Sequence, residues 1–420
     1  MNFSFRPLVR GMLPFIMLLA LAGCGTTATK PPVATRHPVL LISIDAFRPD
    51  YLDRGQTPTL ASIVREGARA PYMRPSFPSL TFPNHYTLVT GLVPDHHGVV
   101  NNTMVDPKIG RFRLADRDAT SDGRWWDGAE PLWVTAQKQG LRTATMFWPG
   151  TEAEIRGMRP DRWIPYDGDL TSNGRVDQLL KWIDEPGPKP MFDTLYFDAV
   201  DHAGHEHGPD SPEVDVALRE TDAALARLVA GLKARGIYDS MDILVVSDHG
   251  MANLPSDHII FADDVADVTQ LDEVSYGVVA TFNPLPAHGF ARPEAALLAS
   301  HPHMQCYRKG DLPARFQYGT NPRVPAIVCM AETGWTIVSH AALAARTTPM
   351  SLGEHGYDNA DPTMRALFVA RGPSFQPGAT VAPFPNVDVY PLIVHLLGIS
   401  GQPNDGNLGD IEGLLRPAAR

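Results

Sequence analysis

Six side chains that can bind metal ions stand in four short clusters along the chain. They are Asp45, Asp201 with His205, Asp248 with His249, and His355. Three carboxylates and three imidazoles divide into two sites of three protein ligands each, the ligand number of a catalytic zinc site that keeps one position open. Two divalent cations held by three carboxylates leave a local charge of about +1. The pocket should therefore attract an anionic group such as a phosphate, which points to phosphoryl chemistry.

A hydroxyl nucleophile is available in the segment 79–85, where Thr81 stands just before Pro83. A helical stretch from His85 to Thr90 closes at Gly91, so the pattern predicts the Thr81 hydroxyl at a helix N-terminus. There the helix dipole and a bound cation both favour an alkoxide. A helix N-cap whose hydroxyl binds a backbone N–H explains the same residues, and the local pattern alone favours that cap.

Other histidines lie close to these clusters. They are His96, His97, His202 and His207. They exceed the number of ligands that two three-ligand sites need, so we predict that they do not bind metal. Asp248 and His249 are adjacent, and adjacent side chains on an extended segment point apart unless the chain turns there. We therefore expect a turn at this point.

The elements that must position these residues follow an α/β pattern of short β-branched runs, polar loops and helical segments. The strand candidates are Pro38–Ile44, Thr143–Trp148, Thr194–Phe197 and Asp242–Ser247. Helices are predicted after Thr57-Pro58 and after Ser211-Pro212. Asp45, Asp201 and Asp248 follow the carboxyl ends of apolar runs, where sites form in open, mostly parallel sheets. The pattern predicts one shared site.

The alternation weakens between His249 and His355. Strands are predicted at Gly277–Phe282, His303–Tyr307 and Ala326–Met330, around a helix at Pro293–Ser300. This pattern predicts a small inserted α+β subdomain at about residues 256–345, within a catalytic domain that spans residues 37–420.

The N-terminal residues have the pattern of an export signal. Arg6 and Arg10 precede an apolar run at residues 12–22, which is shorter than the roughly 20 residues of a membrane span. The run ends in Leu-Ala-Gly-Cys24, which resembles the bacterial lipobox. We expect a lipoprotein signal peptide at 1–23, lipidation of Cys24 and a flexible tether at 24–36, with the protein in the bacterial periplasm, anchored at the outer membrane, or secreted. An ordinary secretory signal with a chance cysteine is the alternative.

Length, charge and cysteine content set further limits. The 420 residues can bury a large core, and a formal charge of −11 argues against a nucleic-acid-binding surface. Membrane contact is expected only through the lipid anchor.

Without Cys24, the cysteines Cys306 and Cys329 remain, and in an oxidising periplasm we expect them to form a disulfide. Two separate buried thiols are the alternative.

Several motifs in the same order resemble the nucleotide pyrophosphatase/phosphodiesterase family of the alkaline phosphatase superfamily, from about residue 38 to about residue 400. The motifs are Leu41-Ile-Ser-Ile-Asp45-Ala-Phe-Arg-Pro-Asp-Tyr51, Thr81-Phe-Pro-Asn-His-Tyr-Thr-Leu-Val-Thr-Gly91, Asp201-x-x-Gly-His205, Ser247-Asp-His-Gly-Met251 and Gly353-x-His-Gly-Tyr-Asp-Asn359. The resemblance implies an alkaline-phosphatase-like fold, with a central, mostly parallel sheet and helices on both faces.

The resemblance also implies a role for each ligand. One zinc is expected at Asp201, His205 and His355, and a second at Asp45, Asp248 and His249 together with the Thr81 oxygen. Asn102 is implied to help hold the phosphate oxygens, although the pair Asn101-Asn102 could be only a turn. Thr81 is the implied nucleophile.

A substrate pocket beside the nucleophile is predicted from three residues. Phe82 could stack on a base, as the family implies for this position, with Leu114 and Tyr166 on the opposite wall. Ordinary core packing is the alternative for all three. Because every base offers a flat face, stacking predicts broad use of nucleotides.

The resemblance implies a two-zinc phosphodiesterase I or nucleotide diphosphatase. It would cleave nucleotides such as ATP, dinucleotide cofactors or dinucleoside polyphosphates to nucleoside monophosphates, through a phospho-threonine intermediate. A phosphodiesterase acting on choline phospholipids or glycerophosphodiesters, a phosphomonoesterase and a binding protein with a decayed site are the alternatives. We expect a monomer.

Overall fold

The computed structural model describes residues 36–285 and 289–417. The predicted signal peptide at 1–23, the lipidation site Cys24 and all but the last residue of the tether lie outside the described residues. Within the described ranges, no helix is both long enough and apolar enough to cross a membrane.

Short strands and helices make up the chain and are numbered from its N-terminus. The strands are β1 (Val39–Ile44), β2 (Ala68–Arg69), β3 (Met73–Arg74), β4 (Thr103–Asp106), β5 (Gly110–Arg113), β6 (Thr143–Met146), β7 (Arg162–Trp163), β8 (Phe192–Phe197), β9 (Asp242–Val246), β10 (Ala252–Asn253), β11 (Ile259–Phe261), β12 (Leu271–Ser275), β13 (Val279–Pro284), β14 (Met304–Arg308), β15 (Ile327–Ala331), β16 (Thr336–Val338), β17 (Gly353–Glu354), β18 (Phe368–Arg371) and β19 (Phe384–Pro385). The helices are α1 (Pro58–Glu66), α2 (Thr81–Thr90), α3 (Pro94–His97), α4 (Arg117–Ser121), α5 (Leu132–Lys138), α6 (Ser172–Asp184), α7 (Ala199–His207), α8 (Pro212–Ala234), α9 (Ala262–Val265), α10 (Ala291–Leu297), α11 (His340–Ala344) and α12 (Val389–Leu397).

The central sheet has seven strands in the order β2-β18-β9-β1-β8-β6-β7. The five strands from β9 to β7 are parallel, and β18 and β2 add an antiparallel edge. Every residue of β1, β8 and β9 is buried, because helices cover both faces. The chain therefore has an α/β fold with the central, mostly parallel sheet that the resemblance implied, and the four predicted strands of this sheet are confirmed.

Alternate residues of β1 pack into two separate apolar layers. Val39 and Leu41 contact the layer that contains α2, α5 and α12, whereas Leu40, Ile42 and Ile44 contact the layer of α1, α6 and α8. The predicted helix after Ser211 is α8, and the Ser211 hydroxyl accepts the Val214 N–H at 3.3 Å as its N-cap. Both faces are therefore filled, and the site must form at an edge of the sheet.

A second, antiparallel sheet with the strand order β12-β13-β15-β14 lies within residues 271–331. Three of its strands and α10 were predicted, but β12 was not, because Asp272 and Glu273 interrupt its apolar pattern. Cys306 in β14 lies opposite Cys329 in β15, with 3.9 Å between the Cα atoms, and the two sulfur atoms are bonded.

Candidate active site

Three aspartates lie at one edge of the central sheet, where neighbouring parallel strands end. Asp45 follows β1, Asp248 lies two residues beyond β9, and Asp201 lies in the first turn of α7, which follows β8. The carboxyl ends of these strands meet because β8 and β9 both pair with β1 in parallel. The chain turns sharply after Asp45, where Ala46 has φ 56° and its N–H donates to Asp248 Oδ1 at 3.4 Å. The turn holds two carboxylates together.

The first ligand cluster consists of Asp45, Asp248 and His249, all fully buried. His249 Nε2 lies 3.4 Å from Asp45 Oδ1 and 3.0 Å from Asp248 Oδ2. The potential ligand atoms of the cluster all lie within 4.8 Å of one another. One cation could contact all three side chains.

The second ligand cluster consists of Asp201, His205 and His355. Asp201 and His205 are four residues apart on one face of α7, and His205 Nε2 lies 3.5 Å from Asp201 Oδ1. His355 follows β17 and brings its Nε2 to 3.7 Å from the same oxygen. The His249 and His355 rings stack with centroids 3.6 Å apart. The two clusters are therefore adjacent, as a shared phosphate would require.

Backbone carbonyls set the orientation of all three cluster imidazoles. In each ring, Nδ1 bonds to a carbonyl oxygen, which requires Nδ1 to carry the proton and leaves Nε2 as an electron-pair donor. The pairs are His205 with Gly353 at 2.8 Å, His249 with Gly250 at 2.9 Å and His355 with Ser79 at 2.9 Å. This arrangement prepares the imidazoles to bind metal.

Each cluster carboxylate also keeps one oxygen without a protein partner. Asp45 Oδ1, Asp201 Oδ1 and Asp248 Oδ2 are buried and accept no hydrogen bond from the described residues. These are the same oxygens that face the Nε2 atoms. A buried carboxylate oxygen without a partner is strongly unfavourable unless a cation compensates it. The donor set therefore fits two divalent cations with nitrogen and oxygen ligands.

Burial and the neighbouring charges shift the pKa values of the clustered side chains. Burial and the nearby charges of Asp248 and Asp201 raise the pKa of Asp45 well above its ordinary value. Burial acts in the same direction on Asp248, but the His249 and His85 imidazoles hold the pKa of Asp248 well below its ordinary value. Burial and the imidazoles of His249 and His205 lower the pKa of His355. The side chains around Asp45 thus disfavour its ionisation, and a bound cation would oppose this effect.

Thr81 is the first residue of α2, so this helix begins four residues earlier than the sequence predicted. Its N-cap is Leu80, and no side chain caps the helix. The interpretation of Thr81 as a helix N-cap with no catalytic role is therefore wrong. The Thr81 Oγ1 instead lies 3.3 Å from His249 Nε2, beside the first cluster and half-buried. A hydroxyl in this position can reach a cation that the first cluster holds.

Asn102 lies next to the start of α2. Its Oδ1 accepts the Phe82 N–H at 3.0 Å. This bond leaves the Nδ2 group to donate elsewhere, and Asn102 borders the same cavity as His205 and His355. Asn101 bonds locally, with Oδ1 accepting the Thr103 N–H at 3.1 Å. The turn interpretation thus describes Asn101, whereas Asn102 faces a cavity at the clusters.

The three predicted pocket residues line one cavity of about 150 Å³ together with Asp45 and Thr81. Phe82 packs against the ring of Trp126 at 5.9 Å between centroids. Tyr166 donates its hydroxyl to Asp198 at 2.6 Å, and Leu114 is 47% exposed. An exposed leucine in the same cavity as two aromatic side chains offers an apolar surface for a flat group.

Sequence reasoning missed two residues that contact the ligands directly. Tyr196 donates its hydroxyl to Asp45 Oδ2 at 2.5 Å. His85 is fully buried, with its Nδ1 2.9 Å from the Thr81 carbonyl and 3.3 Å from Asp248 Oδ2. Tyr196 lies inside an apolar run and carries no sequence signal. The spacing of His85, four residues after Thr81, could have indicated a shared helix face.

The four additional histidines are not part of either cluster. His97 is buried and bonds to Thr87 at 3.0 Å, and burial lowers its pKa to about 3. His96 bonds to Asp405 at 2.7 Å. His202 is exposed and lines the cavity of Thr81.

Comparisons with known proteins agree on one family. The family model for type I phosphodiesterase/nucleotide pyrophosphatase matches residues 39–358. An uncharacterised pyrophosphatase/phosphodiesterase of Schizosaccharomyces pombe is 38% identical over 88% of this chain and 78% of its own length. A bis(5'-adenosyl)-triphosphatase of Bos taurus is 34% identical over 94% of this chain and 85% of its own length.

Solved structures give the same result. The inactive threonine-to-alanine variant of murine ectonucleotide pyrophosphatase/phosphodiesterase 5, in complex with AMP, superposes with a TM-score of 0.86. It is 32% identical, and the match covers 90% of this chain and 100% of the murine chain.

Proposed function

Because the chain belongs to the type I phosphodiesterase/nucleotide pyrophosphatase family and is a hydrolase of that family, we propose a specific reaction for it. The protein uses two zinc ions to hydrolyse phosphodiester and pyrophosphate bonds of nucleotides. It releases nucleoside monophosphates through a phospho-threonine intermediate.

One observation carries this proposal. Two adjacent three-ligand clusters, whose carboxylates each keep a buried oxygen without a protein partner, lie beside the Thr81 hydroxyl. Asp45, Asp248 and His249 would hold one cation, and the second cluster would hold the other. When bound, such cations would lower the pKa of the hydroxyl and offset the negative charge of the phosphoryl group.

The reaction runs as two in-line displacements. Thr81 Oγ1 loses its proton to solvent and forms a bond to phosphorus, while the bond from phosphorus to the leaving oxygen breaks. Water then attacks phosphorus from the side that the leaving group has vacated, and the bond to Thr81 breaks. Each step inverts the configuration, so the overall result is retention at phosphorus.

Asn102 and the cavity of Thr81 position the substrate. The Nδ2 group of Asn102 donates to a non-bridging phosphate oxygen, because its Oδ1 is already used by the Phe82 N–H. The base lies against Phe82, with Leu114 and Tyr166 on the opposite wall. The names of the relatives support this assignment, since the bovine protein is a bis(5'-adenosyl)-triphosphatase and the murine structure contains AMP.

The location of the protein remains a proposal from the sequence. We propose export to a bacterial periplasm as a monomer with a lipid anchor on Cys24. Radiolabelled palmitate should label the wild-type protein in cells and should not label Cys24→Ser. Equal labelling of the two proteins would reject the lipid anchor.

A single assay tests the proposed reaction. Purified protein is given 4-nitrophenyl thymidine monophosphate ester, ATP or a lysophospholipid, with and without a chelator. We expect cleavage of the two nucleotides, release of nucleoside monophosphate and loss of activity with the chelator. Activity that survives complete removal of metal would reject the proposed chemistry.

Thr81→Ala provides the second arm. We expect it to lose turnover by several orders of magnitude while retaining its metal and its unfolding temperature, because Thr81 makes no helix cap. Unchanged turnover would mean that water attacks phosphorus directly.

A further inference from the structure

A second cavity opens beside the ligand clusters. It has a volume of about 330 Å³, against about 150 Å³ for the cavity that contains Thr81 and Phe82. Its lining includes His205, His355, Asn102, Tyr276 and Arg346. The first cavity is lined by Thr81, Asp45 and Asp201, whereas the second is lined by the imidazoles of His205 and His355.

The geometry of in-line displacement indicates which part of the substrate would occupy the larger cavity. The leaving oxygen must lie opposite the attacking oxygen, on the far side of phosphorus. Because Thr81 lies beside the first cluster and opens to the smaller cavity, the departing half of the substrate extends past His205 and His355. The larger volume suits a leaving group of several phosphates or a nucleotide.

Arg346 brings a positive charge to this cavity. Its Nη2 donates to the Pro349 carbonyl at 3.0 Å, and no carboxylate of the described residues lies within ion-pair distance of the guanidinium. Glu354 borders the same cavity, but its carboxylate lies 3.8 Å from His205 Nδ1. The guanidinium therefore has donors left for an anion.

The segment that carries Arg346 has a backbone or cap hydrogen bond on each side, and the one at Leu352 reaches the site. The Ser339 hydroxyl caps α11 by accepting the Ala342 N–H at 3.1 Å, and α11 ends two residues before Arg346. At the other end, the Leu352 N–H donates to the His205 carbonyl at 2.8 Å. The segment is thus bonded at Leu352 to the helix that carries Asp201 and His205, and Arg346 itself is exposed.

We propose that Arg346 is a specificity-determining residue that binds the anionic leaving group. This inference rests on the proposed function and narrows it. The favoured substrates are phosphoanhydrides, in which a second phosphate follows the scissile bond, and diesters with a neutral leaving group are bound less well.

The test compares two leaving groups on the same enzyme. The leaving group of ATP is pyrophosphate, which is anionic. The leaving group of the 4-nitrophenyl ester of thymidine monophosphate is an aromatic group that carries no charge before cleavage. For Arg346→Gln we expect the ratio of kcat/KM for ATP to kcat/KM for the ester to fall about tenfold, the size of one lost charge-assisted hydrogen bond. Arg346→Lys should recover part of the ratio.

Two controls make the result specific. Arg308→Gln changes an exposed arginine that pairs with Glu294 outside the cavity, and should leave the ratio unchanged. In the Thr81→Ala background, Arg346→Gln should weaken equilibrium binding of ATP more than binding of AMP, which has no leaving group.

The outcomes separate the two proposals. If nucleotides are cleaved but the ratio and the relative binding of ATP and AMP are the same with and without Arg346, the leaving-group assignment is wrong and the proposed function stands. If no nucleotide is cleaved by the wild-type enzyme, both are wrong.

Discussion

The substitution Gly250→Ala tests how the fold sets the metal ligands. Gly250 follows Asp248 and His249, which we propose as metal ligands, and its backbone does not lie in the left-handed region, so alanine is conformationally allowed. The obstacle is space, because an added Cβ would lie 2.1 Å from the Thr363 carbonyl oxygen and 2.9 Å from that of Arg365. Non-bonded carbon and oxygen atoms require more than about 3 Å, so the chain must move by roughly 1 Å.

A movement at this point reaches the proposed metal ligands. The Gly250 N–H donates to the Met364 carbonyl at 3.1 Å, so the two backbones are bonded to each other at this point. The Gly250 carbonyl also accepts the His249 Nδ1–H at 2.9 Å and orients that ring. Displacement by about 1 Å at a catalytic group costs about 100-fold in rate, and loss of a ligand's orienting bond lowers metal affinity about 10- to 100-fold.

The assay measures three quantities for the purified variant: kcat/KM for the nitrophenyl ester, bound zinc after dialysis, and the unfolding temperature. We expect kcat/KM to fall about 100-fold with a loss of bound zinc. Gly310→Ala is the matched control, since a Cβ there meets no atom within 4 Å. If Gly250→Ala keeps its zinc and its kcat/KM within about threefold of wild type, the argument from close packing is refuted.

Two further substitutions test the base cavity and the core. Phe82→Ala should lower kcat/KM for nucleotides by about 10-fold or more, the size of one lost base stack, and equal kinetics for the two proteins would exclude stacking on Phe82. Asp193 in β8 is buried without a partner among the described residues, and burial raises its pKa to about 8. The folded protein therefore keeps a proton that the unfolded chain releases above about pH 4, and stability falls with rising pH by roughly 1.4 kcal/mol per pH unit up to about pH 8. Asp193→Asn should remove this loss, so urea unfolding should show the variant gaining about 3 kcal/mol relative to wild type between about pH 5 and about pH 7.5. Comparing the two proteins cancels the pH dependence of the shared metal site, and a difference that stays constant with pH would show that Asp193 is ionised.

Local patterns predicted the elements that contain most of the site. Mostly apolar runs predicted β1 and β9, because strands covered on both faces need apolar residues at most positions. Ser43 and Asp242 are the polar exceptions. The start of α2 was placed four residues late, at His85, although proline is accepted in the first turn of a helix. Strand β12 was missed because its acidic residues hide the alternation.

The sequence by itself determined the chemistry that is available: the ligand types, a threonine before a helix, and an α/β sheet with acids after its strands. Only the tertiary structure decided which side chains meet, because His355 and Asp201 are far apart in the chain and come together through the packing of β17 against α7. Tyr196, His85 and the cavity of Arg346 depend on the same long-range packing. The local sequence determines the hydrophobic periodicity of each strand and helix. The distances between these elements are set only when their apolar faces are buried against one another.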